Sequence, residues 1–459
     1  MHHDMLKGKR IAFVGPAAYV KGKKQGNHID SFDIIIRVND PTVIPESEYA
    51  DLGSRTDILY HNLHTGIFTS DKLEELLNTP LQCIVGLPID SRQDNFKQVC
   101  DGKVTMSVIS QYTYEGIKEE IGIDPLTGMV AIGDLLSSEL TELYITGFDF
   151  YEQDEVYHDN RKPQSTQGYE VHQPQKQLEW FMGITDPRLM LDDYLSQRKY
   201  RWLLETQGYC VFKNMYTPEE MDTIRNVALD HFNGGGGIIE GKTTSIEGRK
   251  RVTVDAINVN ELTLLWKTIL KEDLFNAVKN ALQTDTLCYV HNSDVQMNRW
   301  GADIGWHRDT LNDKYREIYA QTDFWDSEIP YTNYRFALYL QDCQVEGLGL
   351  SVQPNTHSNS TVNHTGQYLP TELGDLIMFD ARLLHQGMTV NPSNLGYDRL
   401  SCFFNFGIPS QTATEHARGA ICRQMEQSGK EITEYEVIPE IQEVLDTYNV
   451  NHTIPEAIE

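Results

Sequence analysis

The feature that most constrains the fold is a change in the texture of the sequence near Gly208. Before it, apolar strand-like runs alternate with helical stretches; after it come many short runs rich in Tyr, Phe, Val and Leu. Alternating strands and helices predict a mostly parallel sheet, whereas closely spaced strands predict an antiparallel double-sheet barrel or jelly roll. Since 459 residues are also too many for one comfortable core, we predict two domains of different architecture.

In the first half the predicted strands are KRIAFVG, FDIIIRVN, QCIVGLP and ELYITGFDF, separated by helical stretches such as SDKLEELLN and MVAIGDLLSSEL. In the second half, Thr217, Pro218 and Glu220 predict the start of a helix, as N-cap, first-turn and N3 residues. The strands predicted after it include RFALYLQDC, LGLSVQP, DLIMFDA and RLSCFFNFG. The predicted organisation is an α/β Rossmann-like domain (1–185), a polar helical linker (186–200), a double-stranded β-helix of the jelly-roll or cupin type (201–412), and a C-terminal helical tail (413–459).

Bulk properties exclude several classes of partner. A formal net charge of -28 argues against nucleic acid, because phosphate backbones are bound by clustered Lys and Arg. No apolar stretch approaches the length needed to cross a bilayer, and MHHDMLKGKRIAFVG runs into a core strand without the apolar region of a signal peptide. The seven cysteines are scattered and never form a CxxC pair, which is typical of reduced thiols. We expect a cytoplasmic protein with no membrane or nucleic-acid partner; no pattern specifies an oligomeric state.

The segment GADIGWHRDT carries a candidate metal site. Alternate residues of an extended segment face the same way, so His307 and Asp309 can reach one ion. Two histidines and one carboxylate suit iron(II) and leave positions open for a bidentate co-substrate and oxygen. A third ligand is expected from His385, just after an apolar strand, and Arg399 is placed to fork onto a carboxylate inside the barrel. An HxD pair alone is more often part of a surface loop; the ordered set is far more specific.

Taken together, His307-x-Asp309, LQDCQVEGLGLSVQPNTH, GDLIMFDARLLHQG and the following Arg resemble the phytanoyl-CoA dioxygenase family over roughly residues 196–412. The resemblance implies that His307, Asp309 and His385 are the iron ligands and that Arg399 anchors the distal carboxylate of 2-oxoglutarate. It also implies a co-substrate contact at Gln296, and a structural turn role for His357 where the family has Gly-Ser-His. The implied chemistry is oxidative decarboxylation of 2-oxoglutarate to succinate, coupled to hydroxylation of a substrate carbon.

The first half contains a second set of motifs: IAFVGPAAYVKGKKQGNHIDSFDIIIRVN with YADLGSRTDILY, then DPLTGMVAIGDLLSSELTELYITGFDFY, and finally YHD and EVHQPQKQLEW. In this order they resemble the sialyltransferase family (glycosyltransferase family 29) over roughly residues 8–183. The chain departs from the family at Gly15-Pro16-Ala17, where the family has G-N-S, and at Gln177, where the family has Glu. The cysteine pair and membrane anchor of secretory relatives are missing.

This second resemblance implies a binding site for a CMP-activated sugar donor. Gly15 would let the nucleotide approach the backbone, and Asn39 would contact a cytosine or ribose edge. Thr127 and Gly128, at a helix N-terminus, would bind the donor phosphate. The resemblance implies that His172 is the general base and that His158 assists phosphate departure. The alternatives are structural: Gly15 as a turn, Asp33 and Asp57 as strand-end caps, and solvated histidines.

These two motif sets allow three functional hypotheses. The leading one is a bifunctional enzyme that transfers a sugar from a CMP-activated donor and hydroxylates a small molecule or glycan. In the second, the first domain only binds a nucleotide sugar or glycan and recruits substrate to a single active oxygenase. In the third, both halves are inactive scaffolds, which the complete HxD, His and Arg set disfavours. The expected cofactors are iron(II) and 2-oxoglutarate, and the expected partner is a small-molecule or glycan substrate.

Overall fold

The structure is a computed structural model that describes residues 2–39, 43–63, 70–89, 102–151, 173–236, 238–240, 249–252, 256–298, 305–310, 323–326, 331–359, 365–387, 389, 398–428 and 437–453. The chain divides into two compact units, Met1–Ser196 (unit 1) and Gln197–Glu459 (unit 2). Each unit has its own sheets and its own buried apolar clusters. Every helix in the described part of the chain is too short or too polar to span a bilayer.

Unit 1 is built on one parallel sheet. Its strands within the described residues are β1 (Arg10–Val14), β2 (Ile34–Val38), β3 (Ile58–His61), β4 (Cys83–Gly86), β5 (Thr105–Val108), β6 (Glu142–Thr146) and β7 (Leu189–Leu191). They pair in the order β5-β4-β3-β2-β1-β6-β7, every neighbour parallel. Because the order reverses between β1 and β6, the C-terminal ends of these two strands border the crevice where such sheets bind ligands.

The helices of the first part of the chain are α1 (His2–Leu6), α2 (Gly26–Asp30), α3 (Tyr49–Leu52), α4 (Ser70–Leu77), α5 (Gln111–Ile121), α6 (Thr127–Leu136), α7 (Pro174–Met182) and α8 (Asp193–Thr206). Strand β2 is buried along its whole length, as expected for a parallel sheet covered on both faces. Helix α6 packs against β3, and its N-terminus at Thr127 is buried.

The segment 186–200, predicted to be a helical linker, is not purely helical. It contains strand β7 and the start of α8.

Unit 2 contains two sheets. Its strands within the described residues are β8 (Tyr209–Phe212), β9 (Ile238–Glu240), β10 (Arg249–Val252), β11 (Leu287–Val290), β12 (Asp294–Asn298), β13 (Asn333–Tyr339), β14 (Leu350–Val352), β15 (Gln367–Leu369), β16 (Leu376–Asp380), β17 (His385–Gln386), β18 (Arg399–Gly407) and β19 (Val450–Thr453). The larger sheet has the order β8-β16-β13-β18-β12-β10-β9, with β11 joining β18 and β19. The smaller sheet has the order β15-β14-β17. All pairs are antiparallel except β11 with β19.

Strand β18 shows how the sheet separates a core from a polar interior. Leu400, Cys402, Phe404 and Phe406 belong to the main apolar cluster, together with residues of the helices α9 (Pro218–Asn233), α10 (Thr263–Ile269) and α11 (Glu272–Leu282). Phe403 instead packs with residues of the smaller sheet. Since side chains alternate along a strand, Arg399, Ser401 and Asn405 share the face of Phe403, toward the smaller sheet.

Residues 413–459, predicted to be a helical tail, are not entirely helical in the structure. This segment contains the expected helices, α12 (Gln411–Ser428) and α13 (Pro439–Thr447), but it ends in strand β19. This strand pairs in parallel with β11, and Val450 belongs to the main apolar cluster of unit 2. The segment is therefore part of the unit's core and sheet. Its short strand, VNHT, carries too little apolar pattern to be recognised from sequence.

Candidate functional site

The structure brings His307, Asp309 and His385 together in unit 2. His307 and His385 form an isolated antiparallel bridge in which each backbone N–H donates to the other's carbonyl at 2.9 Å. The N–H of Asp309 donates to Ala381 O at 2.9 Å, which extends the pairing along the segment after β16. One potential ligand atom from each of the three side chains lies within 4.8 Å of the other two. Two segments distant in sequence are thus held in register around one point.

The orientation of both imidazoles fits a bound cation. Nδ1 of His307 lies 2.9 Å from Gly305 O, and Nδ1 of His385 lies 2.9 Å from Leu383 O. A carbonyl can only accept, so Nδ1 carries the proton in both rings and Nε2 presents a lone pair. These Nε2 atoms face the Asp309 carboxylate at 3.8 and 3.5 Å. Three electron-pair donors therefore converge with no proton between them, an arrangement that a metal ion would satisfy.

Burial controls the protonation of this site. His385 is 4% exposed, and burial lowers its pKa to about 4, although the nearby Asp309 acts in the opposite direction. The imidazole is therefore neutral at physiological pH, as metal ligation requires. Burial alone would raise the pKa of Asp309, but Arg335 and the two histidines outweigh it and hold the pKa well below its usual range. The set consists of two imidazoles and one carboxylate, which suits iron(II).

Sequence reasoning missed two residues that hold Asp309. The first is Arg335, whose Nε lies 3.3 Å from Asp309 Oδ2. The second is His416 of α12, whose Nε2 donates to the backbone carbonyl of Asp309 at 2.8 Å. A signal for Arg335 was present, because it stands in the otherwise apolar run YRFALYL on the face shared with Tyr339. No sequence signal pointed to His416, because it lies in a helix without a recognisable metal-binding motif.

Arg399 begins β18 and lies opposite Asn298 of β12. It is 3% exposed; its Nε donates to Leu348 O at 2.6 Å, and its guanidinium carbon lies 4.8 Å from the centre of the Tyr339 ring. Leu348 precedes β14, whose Val352 pairs with His385, so Arg399 contacts the segment that leads into the strand beside His385. A buried cation at this position can bind a carboxylate by a fork of hydrogen bonds.

Polar groups near Arg399 fit a carboxylate-bearing co-substrate. Ser401 lies opposite Gln296 on one side and Tyr339 on the other, so the three form a row across β12, β18 and β13. Ser401 and Gln296 are buried. Among the described residues, Ser401 Oγ has no hydrogen-bond partner, and Tyr339 interacts with Arg399. A buried hydroxyl without a partner is uncommon, and one in the row beside Arg399 suits the oxygen atoms of a carboxylate.

In unit 1 the structure brings Gly15, Thr127 and Gly128 to the crevice between β1 and β6. Gly15 follows β1, and its N–H donates to Thr146 O at 2.8 Å. A Cβ on Gly15 would overlap Gly147 O, and a Cβ on Gly128 would lie 2.7 Å from the Phe148 ring. Both glycines are therefore required by close packing at the crevice. Thr127 begins α6 beside them, so the N-terminus of this helix lies at this edge.

Asn39 has a more local role in the structure. It follows β2 with φ 57°, and its Oδ1 accepts from the N–H of Asn62 at 3.0 Å. Its side chain thus joins the ends of β2 and β3. Asp33 and Asp57 accept from backbone N–H groups of Arg10 and Ile35, in the manner of strand-end caps. The two predicted catalytic histidines, His158 and His172, lie outside the described residues.

The substituted position Gln177 supports the start of α6. Its Oε1 accepts from the N–H of Leu126, and its Nε2 donates to Asp124 O, both at 3.2 Å. Gln177 is fully buried. The glutamine therefore fixes the segment that enters the helix at Thr127. A glutamate could accept the first of these bonds but could not donate the second while ionised.

A second cluster of possible ligands, His2, His3 and Asp134, is explained by hydrogen bonds. Nε2 of His2 and His3 lie 2.8 and 3.1 Å from different oxygens of Asp134, and the Tyr60 hydroxyl donates to the same carboxylate at 2.8 Å. These distances are those of direct hydrogen bonds. Burial alone would raise the pKa of Asp134, but the bonds from His2 and His3 keep it well below its usual range. The cluster fastens α1 to α6.

This cluster makes the stability of unit 1 depend on pH. The hydrogen bond with Asp134 raises the pKa of His3 above 6.5, so protonated His3 stabilises the folded state. The contribution is complete below the unfolded pKa of about 6.5 and is lost as pH rises through the folded value. Thermal unfolding of His3→Gln should therefore start below that of the wild type at pH 6, by no more than about 4 °C, and approach it by pH 9. A difference independent of pH would contradict this account.

The comparisons with known proteins agree with both motif sets. Residues 204–391 match the model of the phytanoyl-CoA dioxygenase (PhyH) family, and residues 2–101 match the model of glycosyltransferase family 29 (sialyltransferase). The two resemblances inferred from the motifs are thereby confirmed. The second match stops before Thr127, Gly128, His158 and His172, so it covers less than the motifs suggested. No curated protein matches the chain significantly.

Several solved structures show a weak similarity to part of the chain. The epimerase SnoN from nogalamycin biosynthesis has 12% identity and a TM-score of 0.37, covering 47% of this chain and 82% of its own. HygX from Streptomyces hygroscopicus, solved with nickel and 2-oxoglutarate, has 14% identity and a TM-score of 0.34, covering 46% and 87%. A Pseudomonas putida prolyl-4-hydroxylase has 13% identity and a TM-score of 0.32, covering 47% and 100%. Values this low support no assignment of activity or substrate.

Proposed function

We propose that unit 2 is an iron(II)- and 2-oxoglutarate-dependent oxygenase. The observation that carries the proposal is the convergence of His307 Nε2, His385 Nε2 and the Asp309 carboxylate, with both imidazole protons on the far side of the rings. The match of residues 204–391 to the phytanoyl-CoA dioxygenase family supports it. When bound, iron(II) would supply oxidation of a substrate C–H bond coupled to decarboxylation of 2-oxoglutarate.

The residues of the chain have separate tasks in this reaction. His307, Asp309 and His385 would hold the metal on one face and leave the opposite face for co-substrate and oxygen. Arg399 would bind the distal carboxylate of 2-oxoglutarate, with Ser401 and Tyr339 as hydroxyl donors and Gln296 in the same row. Because these groups are buried, their hydrogen bonds to a carboxylate would be made away from water, where charge-assisted bonds are strong.

The direct test is iron-dependent formation of succinate from 2-oxoglutarate. Purified protein reconstituted with iron(II) should release succinate slowly even without its substrate, and a chelator should abolish that release. Panels of glycans and nucleotide-linked sugars should then be screened for compounds that accelerate it. Protein that binds metal but forms no succinate with any compound in the panel would contradict the proposal.

We also propose that unit 1 binds a CMP-activated sugar, which would make the protein bifunctional or provide it with a recruitment domain. The supporting observation is the group formed by Gly15, Thr127 and Gly128 at the crevice between β1 and β6. The match of residues 2–101 to glycosyltransferase family 29 supports the same class of ligand. Hydroxyl and backbone N–H groups at a helix N-terminus are suited to a phosphate.

Calorimetry with CMP tests this second proposal. Thr127→Val removes one hydroxyl donor and should weaken CMP binding by about 10–100-fold, since a hydrogen bond to a charged group is worth roughly 1.5–3 kcal/mol. Thr79→Val is the matched control, because the Thr79 hydroxyl donates within its own turn, to Leu76 O. Donor hydrolysis or transfer would favour the bifunctional enzyme, and CMP binding without turnover would favour recruitment. Wild-type protein that does not bind CMP would contradict both.

A further inference from the structure

Arg335 is a buried cation in contact with the candidate metal centre. It lies on β13 opposite Asn405 of β18 and is 5% exposed. Its Nη1 donates to Asn405 Oδ1 at 3.0 Å, and its Nη2 donates to Asp294 Oδ2 at 2.9 Å. Its Nε lies 3.3 Å from Asp309 Oδ2. The planar guanidinium is thus fixed on two sides and presents its third side to the metal-ligand carboxylate.

The rest of Asp309 is held as firmly as its carboxylate. Its N–H donates to Ala381 O, and its carbonyl accepts from His416. With the backbone fixed at both ends, rotation about the side-chain bonds is the freedom that remains. Arg335 opposes that rotation, because turning the carboxylate would move Oδ2 away from Nε and weaken the attraction between the two charges.

The position of Oδ2 matters for metal coordination. A carboxylate can bind an ion through one oxygen or chelate it through both, and chelation would use a coordination position. Asp309 Oδ1 lies 3.8 Å from His307 Nε2, whereas Oδ2 lies between His385 Nε2 and Arg335 Nε at 3.5 and 3.3 Å. Turning the carboxylate so that both oxygens share the ion equally would separate Oδ2 from Arg335 Nε.

We propose that Arg335 is a positioning residue of the metal centre, which limits Asp309 to binding the ion through one oxygen and so keeps positions open for co-substrate and oxygen. The inference rests on the proposed oxygenase function of unit 2. It assigns a role to Arg335, which contacts the proposed ligand Asp309 and not the ion itself. Residues that orient metal ligands typically change metal affinity about 10–100-fold when replaced.

The test uses the full chain loaded with cobalt(II), which reports its coordination number through visible absorption bands. Arg335→Lys keeps the charge beside Asp294 but loses the rigid fork. We expect cobalt(II) affinity to fall about 10–100-fold and the absorption bands to change in intensity and position. The matched control is Arg382→Lys, a buried arginine paired with Asp380 at 2.8 Å, which should leave the cobalt(II) spectrum unchanged.

A second variant controls for the possibility that replacing Arg335 alone disrupts folding. Arg335→Met with Asp294→Asn removes the cation together with the buried carboxylate to which it donates. It should show the same spectral change as Arg335→Lys, with cooperative thermal unfolding in both. Wild-type affinity and spectrum in Arg335→Lys would overturn the inference and leave Arg335 as a purely structural ion pair.

The two proposals fail in different ways. If cobalt(II) binds to the wild type, is lost in His307→Ala and changes its spectrum in Arg335→Lys, the positioning role stands whether or not succinate is formed. If the wild type forms succinate while Arg335→Lys keeps the wild-type spectrum and affinity, the oxygenase stands and the positioning role falls. Measuring both in the same preparations separates the outcomes.

Discussion

His385→Ala should abolish formation of succinate from 2-oxoglutarate. The substitution removes one of two imidazoles from a site with three proposed ligands, and the cluster contains no further described His, Cys, Asp or Glu. Removing only a hydrogen-bond partner of a ligand costs up to about 100-fold, so loss of the ligand itself should cost more. The measurement is the rate of succinate release with iron(II), together with metal affinity by calorimetry under anaerobic conditions.

A suitable control for this variant is His357→Gln. His357 is also a buried histidine of unit 2, but it bonds through Nε2 to Glu205 O at 3.1 Å and takes no part in the metal cluster. It should retain most of the wild-type rate. Both variants should be compared by thermal unfolding, because removal of a buried ring also leaves a cavity. Substantial succinate formation by folded His385→Ala would refute the assignment of this ligand.

Arg399→Met should raise the KM for 2-oxoglutarate by about 10–100-fold, with a smaller change in kcat. The reason is the loss of charge-assisted hydrogen bonds to the distal carboxylate, each worth roughly 1.5–3 kcal/mol. Arg399→Lys keeps the charge without the fork and should give an intermediate KM. Steady-state succinate formation at varied 2-oxoglutarate measures both parameters.

A comparison of co-substrates identifies the group that Arg399 binds. The analogue 2-oxobutanoate lacks the distal carboxylate, so the wild type should prefer 2-oxoglutarate to it strongly, and Arg399→Met should lose most of that preference. This loss follows the logic of a double-mutant cycle, in which the two changes are not additive when the groups interact. If Arg399→Met raised both KM values equally, Arg399 would act on the structure of the site and not on the carboxylate.

The parts of this protein that sequence predicts are those encoded by local patterns. Thr217, Pro218 and Glu220 specify the start of α9, and the structure shows the complete capping box. Strand β18 is apolar at alternate positions, which placed Arg399 on the interior face. His307 and Asp309 are two residues apart, so an extended segment is enough to place both side chains on the same side. In each case the information lies within a few neighbouring residues.

The parts that sequence did not predict depend on pairing between distant segments. Strand β7 lies in the predicted linker, and its pairing with β6 makes it part of the sheet. His416 reaches Asp309 from a helix whose residues show no functional pattern. The hydrogen bonds of Asn39 arise from the approach of β2 and β3, so its local role could not be separated from nucleotide binding by sequence alone. These features require three-dimensional contacts.

Strand β19 has a consequence for the order in which unit 2 is assembled. It is the last strand of the described chain, yet it pairs with β11, which is synthesised before His307, Asp309 and His385. Contacts between residues so far apart in sequence slow folding, because a long loop must close before they form. The helix that carries His416 also emerges only after His385. The contacts that hold Asp309 are therefore complete only after the chain has been synthesised past His416.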